Sequence, residues 1–414
     1  MPEKTLSIIS LGCFRNTYDS EIVANLYEAK GYTLKKDYTD CDLLIVNTCG
    51  FIAKAKEESL DVISQAVELK KKAKIKRLIV FGCLVQRYQK ELKVFFPQVD
   101  EWWGTEKFSP SFVKRIKLLP AHIDFLKICE GCVNKCSYCA IPFIKGPLRS
   151  KPKEAVLKEV RYLEKKGVKE LNIIGQDITS WGKDLGKEHN LVFLLKAILK
   201  TTKTIPWIRL IYTHPRHITD ELIDLIAHEE RICKYIDMPI QHINDRILKL
   251  MKRKTTKKDI IKLIEKIRKK IPGAIIRTSV IVGFPTETVS EFKELVLFLR
   301  EVRFERLGAF VYSREEDTAA HDFKGQVHHQ TKLRRYNQLM SLQKDIAQEA
   351  NQRFIGKELD VLVEEKTKDL YIGRSQFDAY EVDGVVFLEK KNLKIGEFKR
   401  VKIVDAYEYD LVAK

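Results

Sequence analysis

The sequence predicts an α/β protein with an N-terminal open parallel α/β sheet, a central partial (β/α)6 barrel and a C-terminal small antiparallel β-barrel. Over most of the chain, short apolar runs alternate with helical patterns, as repeated βα units require. Beyond residue 352 the period changes to short alternating segments broken by glycines, which is typical of a small antiparallel barrel. We therefore expect three domains, over residues 1–118, 122–345 and 352–414.

In the first domain, three apolar runs predict buried parallel strands, and two helical segments connect them. One helix has Ser20 near its start and Gly31 at its end. The other is the lysine-rich amphipathic stretch Ala53–Lys72. The predicted strands are Leu6–Leu11, Leu43–Val46 and Leu78–Phe81.

In the second domain, six strand-like runs separated by helical patterns predict an open or partial barrel joined by right-handed crossovers. In chain order they read DFLKI, ELNIIG, WIRLIY, YIDMPI, AIIRTSVIVG and RLGAFVY. Residues Lys332–Arg353 read as one long polar helix that leads out of this domain. Five strands of the last domain follow: ELDVLVEE, DLYIGRS, DGVVFLE, FKRVKIVDA and EYDLVAK.

The charge is unevenly distributed along the chain. The whole sequence carries a net charge of +18, which usually indicates a nucleic-acid or ribosome partner, although a lysine-rich proteome would give the same value. Residues 356–414, in contrast, contain 11 Lys and Arg against 13 Asp and Glu, a net charge of −2. The last domain is therefore compositionally separate from the rest.

The nine cysteines point to metal ligation or catalysis. No apolar run approaches the roughly 18 residues that span a membrane. The apolar stretch before Cys13 is too short for a secretion signal, so we expect a cytoplasmic protein. In that reducing compartment, cysteines are kept as thiols and disulfides are rare.

The strongest local signal is the triplet Cys132, Cys136 and Cys139. Three thiolates within eight residues can bind three corners of an iron–sulfur cubane and leave one iron open. The amino and carboxylate groups of S-adenosylmethionine can occupy that iron, and one electron from the cluster then releases a 5′-deoxyadenosyl radical. A structural zinc is the alternative, but zinc prefers four closed ligands.

Three residues near the triplet are candidate contacts of S-adenosylmethionine. Tyr138 can pack on the adenine, and filling space in the loop is the equal alternative. Gln176 and Gly283 follow two further strands of the predicted barrel and so face the same rim. Tight βα turns would account for them equally well.

A second cysteine group emerges only from the strand pattern. Cys13, Cys49 and Cys83 each come just past the carboxyl end of a predicted parallel strand, so they should meet at one edge of the sheet. Three unrelated buried thiols are the alternative. Asn16 and Asn47 lie close by and can donate to cluster sulfur, with turn formation as the equal alternative.

The other cysteines, Cys41, Cys129 and Cys233, receive no role and are expected to be filler in the core or at the surface.

At these motifs the chain resembles the radical SAM methylthiotransferases along nearly its whole length. The matching segments are LGCFRN, NTCGFI, GCVNKCSYCAIPFIKGPLRS, IVGFPTET and GRSQFDAYEVDGVVF. The segments GQDITSWG, YIDMPIQHINDRILK and LGAFVYSREEDTAA are similar to the branch that modifies a ribosomal protein. Thr286, where Gly is more usual, and the segment Tyr212–Pro215 depart from that branch, which affects only the expected substrate contacts.

The resemblance implies a radical SAM core between a methylthiotransferase domain and a C-terminal TRAM barrel. It assigns an auxiliary [4Fe-4S] cluster to Cys13, Cys49 and Cys83, and the radical SAM [4Fe-4S] cluster to Cys132, Cys136 and Cys139. It also implies that S-adenosylmethionine serves as both radical source and methyl donor. The chemistry then rests on clusters and cofactor, and no side chain is assigned as catalytic.

The substrate implied is an aspartate of the decoding-centre protein of the small ribosomal subunit, methylthiolated at its β-carbon. A net acidic barrel suits such a basic protein better than tRNA. We also expect an external electron donor such as flavodoxin or ferredoxin, a sulfur donor, association with the ribosome and a monomeric state. Two alternatives stay open: a tRNA adenosine methylthiotransferase, and a non-enzymatic metal-containing RNA-binding protein.

Overall fold

The computed structural model describes residues 4–105, 114–389 and 392–414. Within these ranges the chain forms a five-stranded sheet, a six-stranded sheet, a closed five-stranded barrel and a two-stranded ribbon. No helix in the described part of the chain is both long and apolar enough to cross a membrane.

The N-terminal sheet is parallel throughout, with strand order β2-β1-β3-β4-β5. Its strands are β1 (Lys4–Ser10), β2 (Tyr32–Leu34), β3 (Cys41–Thr48), β4 (Ile75–Gly82) and β5 (Glu101–Trp103). Helices α1 (Phe14–Glu28), α2 (Ala53–Lys71) and α3 (Cys83–Phe95) connect them. The three predicted strands are confirmed, and the sheet gains two three-residue edge strands whose shortness left no periodic signal.

The first helix begins earlier than the sequence predicted. Helix α1 starts at Phe14, directly after Cys13, and Ser20 lies inside it and is buried. Cys13 has the extended backbone of an N-cap residue, but its side chain makes no capping hydrogen bond. The usual Ser, Thr, Asp or Asn start signal is therefore missing, which is why the predicted start near Ser20 was wrong.

The central sheet is also parallel, with strand order β13-β12-β11-β10-β9-β6. Within the described residues, the outer edges of β13 and β6 have no strand partner, so the sheet does not close. The six predicted runs are therefore confirmed as an open, partial barrel. The strands are β6 (Ile123–Lys127), β7 (Cys129–Glu130), β8 (Arg149–Ser150), β9 (Glu170–Ile174), β10 (Trp207–Leu210), β11 (Ile232–Asp237), β12 (Ile275–Val282) and β13 (Arg306–Val311), of which β7 and β8 form the ribbon.

Helices cover the outside of this sheet, and their apolar faces supply much of its buried core. They are α4 (Ile141–Lys145), α5 (Lys153–Lys165), α6 (Leu191–Thr201), α7 (Asp220–His228), α8 (Asp245–Leu250), α9 (Lys257–Lys270) and α10 (Val289–Val302). Short 3-10 turns span Ile178–Ser180, Pro215–His217 and Ala319–Asp322. The long polar helix is confirmed as α11 (His329–Gln352).

The C-terminal strands close into a barrel with the order β14-β15-β16-β18-β17. They are β14 (Glu358–Lys366), β15 (Tyr371–Ser375), β16 (Val386–Leu388), β17 (Phe398–Ala406) and β18 (Leu411–Ala413). All pairings are antiparallel except that of β16 with β18, which is parallel. β17, which lies between β16 and β18 in the sequence, runs in the opposite direction to both of them. β16 and β18 therefore run in the same direction, and their direct pairing is parallel.

The closed barrel contacts the amino ends of the central strands. Glu170, the first residue of β9, accepts a hydrogen bond from Nε of Arg209 at 2.7 Å and pairs with Arg374 of the barrel. Arg306, the first residue of β13, pairs with Asp378 of the barrel at 2.6 Å. These ion pairs are buried, so removing one partner would leave an uncompensated charge in the interface.

Candidate functional site

The three dispersed cysteines lie at one edge of the N-terminal sheet. Cys13 follows β1, Cys49 follows β3 directly, and Cys83 begins α3 directly after β4. Because β1, β3 and β4 are neighbouring parallel strands, their carboxyl ends meet at this edge, where open α/β sheets bind ligands. The structure therefore brings these three residues together.

Two glycines allow the loops of this trio to pack against each other. A Cβ atom added to Gly12 would lie 2.9 Å from Sγ of Cys49, and one added to Gly50 would lie 2.7 Å from the backbone of Leu84. Contacts this close leave no room for a side chain at either position. The three thiols are also near enough to interact electrostatically.

Two asparagines brace the same loops. Nδ2 of Asn16 donates to the carbonyl oxygens of Leu11 at 2.8 Å and Thr48 at 3.1 Å. Nδ2 of Asn47 donates to the carbonyl oxygen of Asn16 at 2.7 Å. Both NH2 groups are thus occupied within these loops, which supports the turn-forming alternative over donation to cluster sulfur.

Helix ends and one arginine surround this trio with positive potential. Cys13 is the N-cap of α1 and Cys83 is the first residue of α3, so the positive ends of two helix dipoles lie beside it. Burial raises the pKa of Cys83 to about 12. Burial also opposes ionisation of Cys13, but Arg15 and the backbone N–H of Asn16 outweigh it and lower the pKa of that thiol. A thiol as buried as Cys83 becomes a thiolate when a metal displaces its proton.

The cysteine triplet occupies the loop between β7 and α4. Gly131 opens the loop at φ +70°, and a Cβ atom there would lie 2.0 Å from the carbonyl oxygen of Pro147. Nη1 of Arg253, from the loop after α8, lies 3.9 Å from Sγ of Cys136. Burial raises the pKa of Cys139 to about 12. The triplet is thus held near the carboxyl end of a central strand, where barrel active sites form.

A cavity of about 340 Å³ lies between the N-terminal sheet and the central sheet. The N-terminal part of the chain contributes Arg15, Phe51 and Ile52 to its wall. The central part contributes the whole cysteine triplet and many residues that follow its strands, among them Asn134, Tyr138, Gln176, Asp177, Tyr212, His214, Asp237, Arg253, Arg277, Phe310 and Tyr312. A molecule in this cavity would touch both sheets at once.

Two of the three candidate contacts of S-adenosylmethionine line this cavity. Tyr138 lies between the last two cysteines of the triplet and packs against a buried cluster that includes Phe284. Nε2 of Gln176 donates to Glu130 at 2.9 Å, whereas its Oε1 is buried without a hydrogen-bond partner in the described structure. The hydroxyl of Tyr312 is likewise buried and unpaired there. Unpaired polar atoms on a cavity wall fit a polar ligand.

Gly283, the third candidate, is not among the described residues that line the cavity. Its N–H donates to the carboxylate of Glu287. A Cβ atom at this position would lie 2.3 Å from Cγ of Lys332 on α11. The loop after β12 therefore needs its glycine for close packing against α11, a contact that the sequence could not reveal.

The cavity is also lined by three arginines that the sequence did not single out, Arg15, Arg253 and Arg277. The guanidinium of Arg15 lies 4.8 Å from the ring centroid of Tyr212, and its Nη1 donates to the carbonyl oxygen of Gly175 at 2.8 Å. Arg277 pairs with Asp237 at 3.2 Å. Only Arg15 carried a sequence signal, because it lies two residues after Cys13.

The remaining cysteines lie in apolar cores. Cys41 is buried in the N-terminal sheet, Cys129 in the central sheet, and Cys233 where the central sheet meets the closed barrel. These positions agree with the structural role expected of them.

Each of the two cysteine trios offers three free thiols as metal ligands. Within the described residues, no group of three His, Cys, Asp or Glu side chains is arranged to hold one ion. The thiols of a cubane bind different iron atoms, so they stand farther apart than the ligands of one zinc. Both trios contain thiols alone, the ligand type that iron–sulfur clusters take.

Comparison with known protein families divides the chain in the same way as the N-terminal sheet, the central sheet and the closed barrel do. Residues 5–104 match the uncharacterized protein family UPF0004, residues 126–299 match the radical SAM superfamily, and residues 355–414 match the TRAM domain.

Several curated relatives cover nearly the whole chain. The ribosomal protein uS12 methylthiotransferases RimO of Clostridioides difficile and Desulforamulus reducens are 45% and 43% identical to it, over 98% and 99% of both chains. The RimO of Phocaeicola vulgatus is 43% identical over 100% of this chain and 99% of its own. Among solved structures, the radical S-adenosylmethionine methyltransferase TsrM of Kitasatospora setae shares the fold, with a TM-score of 0.53, 15% identity and 75% of each chain covered.

Proposed function

Because this chain belongs to the RimO family of radical SAM methylthiotransferases, we propose that it transfers a methylthio group to the β-carbon of an aspartate in ribosomal protein uS12. The observation that carries the proposal is the cavity between the two sheets. The triplet Cys132, Cys136 and Cys139 lines it directly, and Arg15 lines it from beside Cys13 of the second trio. A side chain inserted there would lie between the two trios.

The cofactors proposed are two [4Fe-4S] clusters and S-adenosylmethionine. Cys132, Cys136 and Cys139 would hold the radical SAM cluster, and Cys13, Cys49 and Cys83 the auxiliary cluster. When bound, these groups supply the radical and the methylthio group, because no side-chain acid or base can activate an unactivated C–H bond. We also propose that the three domains span residues 1–118, 122–345 and 352–414.

The protein's own residues bind and orient the reactants in this proposal. Tyr138 and the unpaired amide oxygen of Gln176 would contact S-adenosylmethionine at the triplet. Arg253 stabilises negative charge at Cys136, from which its Nη1 lies 3.9 Å away. Phe51 and Ile52, from the N-terminal sheet, close the cavity wall with apolar surface and exclude water.

The partners are inferred from charge and chemistry. The net acidic C-terminal barrel suits a basic ribosomal protein, since complementary charge favours association. An external one-electron donor such as flavodoxin or ferredoxin and a sulfur donor are required by the chemistry, and ribosome association brings the substrate. We propose a monomer that acts in the cytoplasm, where ribosomes are found.

A substrate comparison tests the proposed reaction. The anaerobically reconstituted enzyme is incubated with S-adenosylmethionine, sulfide and dithionite, together with either uS12 or an adenosine-containing tRNA. The proposal predicts a methylthio mass increase on the aspartate-containing peptide of uS12. An increase on the tRNA alone would instead support the tRNA-modifying alternative, which the basic charge of the rest of the chain favours.

Iron counting tests the two-cluster assignment independently of activity. Replacing Cys132, Cys136 and Cys139 together by Ala should leave about four irons per chain, and so should the matched triple replacement of Cys13, Cys49 and Cys83. Eight irons in either variant, or none in both, would contradict the assignment.

A further inference from the structure

Cys132 lies between two cavities. It lines the inner cavity described above, and it also lines a second groove of about 470 Å³, the outer groove, whose other lining residues are all different from those of the inner cavity. The outer groove is formed by the triplet loop, α4 and the segment around Lys183. The other two cysteines of the triplet line only the inner cavity. Cys132 is thus the thiol through which the site meets the outer surface.

The outer groove combines an apolar floor with unpaired positive charge. Val133 and Pro142 provide apolar surface, and Val133 is 40% exposed. Lys135 and Lys183 are exposed at its edge, and neither lies within ion-pair distance of a carboxylate in the described part of the chain. Lys183 is close enough to Cys132 to interact with it electrostatically.

Among the described residues, one acidic side chain lines the groove, and it is already engaged in the fold. Oδ2 of Asp184 accepts the backbone N–H of Ser150, at the end of the ribbon, at 2.8 Å. Next to the groove, Phe143 of α4 is 55% exposed and Arg149 is exposed without a described ion-pair partner. An apolar centre with a charged rim is the usual anatomy of a protein–protein contact.

The two cavities cannot serve the same molecule. During turnover the inner cavity has to hold S-adenosylmethionine and the inserted target residue, so it is closed to a third reactant. The radical chemistry nevertheless needs one electron from outside for each cleavage. The outer groove gives access to a cluster ligand without crossing the substrate cavity, and its charge selects a partner that is acidic.

We propose that the outer groove is the docking site of an acidic one-electron carrier protein. This rests on the proposed function, which requires such a donor. In the transfer, the reduced centre of the carrier loses one electron and the oxidised cluster held by the triplet gains it. No covalent bond forms or breaks. Lys135 and Lys183 steer the carrier, and Val133 lies under the contact.

The test compares a groove variant with a matched control. The groove variant carries Lys135→Glu and Lys183→Glu. The control carries Lys258→Glu and Lys262→Glu, which impose the same charge change on α9, whose residues line neither cavity. Stopped-flow absorbance follows oxidation of a reduced acidic flavodoxin, and in a second series a reduced acidic ferredoxin, by each reconstituted enzyme at low and high salt. Dithionite-driven release of 5′-deoxyadenosine is measured in parallel.

At low salt, the groove variant should oxidise the carrier at least about tenfold more slowly than the wild type, because the steering charges are reversed. The control variant should oxidise the carrier at the wild-type rate. High salt should narrow the difference, because it screens the steering charges. Dithionite-driven cleavage should be equal in the wild type and the control variant. In the groove variant, where Lys183 acts on Cys132, any loss of dithionite-driven cleavage should be much smaller than the loss of carrier oxidation. Equal carrier oxidation by groove variant and wild type would overturn the proposal. The proposal would also be overturned if dithionite reduced the wild-type enzyme but neither the flavodoxin nor the ferredoxin did. If the wild type released no 5′-deoxyadenosine even with dithionite, that result would instead count against the proposed function.

Discussion

Nη1 of Arg15, on the first helix of the N-terminal sheet, donates a 2.8 Å hydrogen bond to the carbonyl oxygen of Gly175, directly after central strand β9. This bond joins the edges of the two sheets at the point where the two cysteine trios approach each other. The guanidinium also stacks over Tyr212, which comes from the central part of the chain. Arg15 therefore fixes the spacing of the two sites as well as lining the cavity.

Arg15→Met should loosen this contact. The variant loses a charge-assisted hydrogen bond and a cation–π contact, so we expect the free energy of unfolding to fall by about 1.5–3 kcal/mol. Urea unfolding under anaerobic conditions measures it. Arg15→Lys keeps the charge but cannot both stack on the ring of Tyr212 and reach Gly175. Its free energy of unfolding should therefore lie between those of the wild type and the Met variant. A Met variant as stable as the wild type would show that the contact contributes nothing.

Glycine substitutions should remove the two clusters one at a time. Gly82→Ala would place a Cβ atom 2.4 Å from Oδ1 of Asn47, directly before Cys83, and at φ +108°. Gly131→Ala would place one 2.0 Å from Pro147, directly before Cys132. Each change strains one site and leaves the other untouched, so iron analysis should give about four irons per chain for each variant.

Gly167→Ala is the control for this pair. Gly167 has a similar φ of +78°, but a Cβ atom there meets nothing within 4 Å. It should therefore retain both clusters and the full iron content. Full iron in Gly82→Ala or Gly131→Ala would contradict the argument from close packing.

Arg115→Met should be among the most destabilising single changes in the chain. Arg115 is buried and pairs with Glu21, with Asp124 at 2.9 Å and with Glu159 at 3.0 Å, which joins α1 to the central sheet. Its loss removes one ion-pair partner from each of three buried carboxylates, of which Glu159 keeps Lys151 and Asp124 keeps Lys117, at a cost of about 3–5 kcal/mol. The measurement is the free energy of unfolding in urea.

Arg400→Met provides the matched comparison, because Arg400 also pairs with two carboxylates, but at an exposed position. Exposed pairs contribute only about 0–1 kcal/mol. If both variants lost the same stability, burial would not be the cause of the difference.

His122 should make stability depend on pH between neutrality and pH 4. Burial, Lys117 and Arg374 lower its pKa to about 4, and its Nε2 has no hydrogen-bond partner in the described structure. The unfolded chain, with a His pKa near 6.5, therefore binds a proton that the folded chain refuses. Its contribution is present above pH 6.5 and is lost as pH falls towards 4. Urea unfolding at pH 7.0 and 5.5 should show a smaller loss for His122→Gln than for wild type, and an equal loss would refute this assignment.

The sequence predicted the elements whose signals are local. The cysteine trios were visible because one is compact and the other falls at strand ends, and the central strands were visible because they are continuous apolar runs. The cavity could not be predicted, because Arg253 and Arg277 come to line the same space as Arg15 only when the two sheets pack together. The close approach of Gly283 to Lys332 could not be predicted for the same reason, since Lys332 is far away in the chain. Tertiary contacts of this kind leave no periodic trace.

The placement of Cys13 and Cys83 at the starts of two helices has a consequence for how this site changes over evolution. Much of its positive potential comes from peptide N–H groups, which every residue except proline carries. Arg15 and Lys145 also act on these thiols, and the closely packed glycines of the loops cannot take a side chain. Exchange of the other side chains around the thiols alters that potential little, provided that both helices still begin there. Sequence drift near this trio is therefore tolerated more readily than an insertion or a proline that moves either helix start.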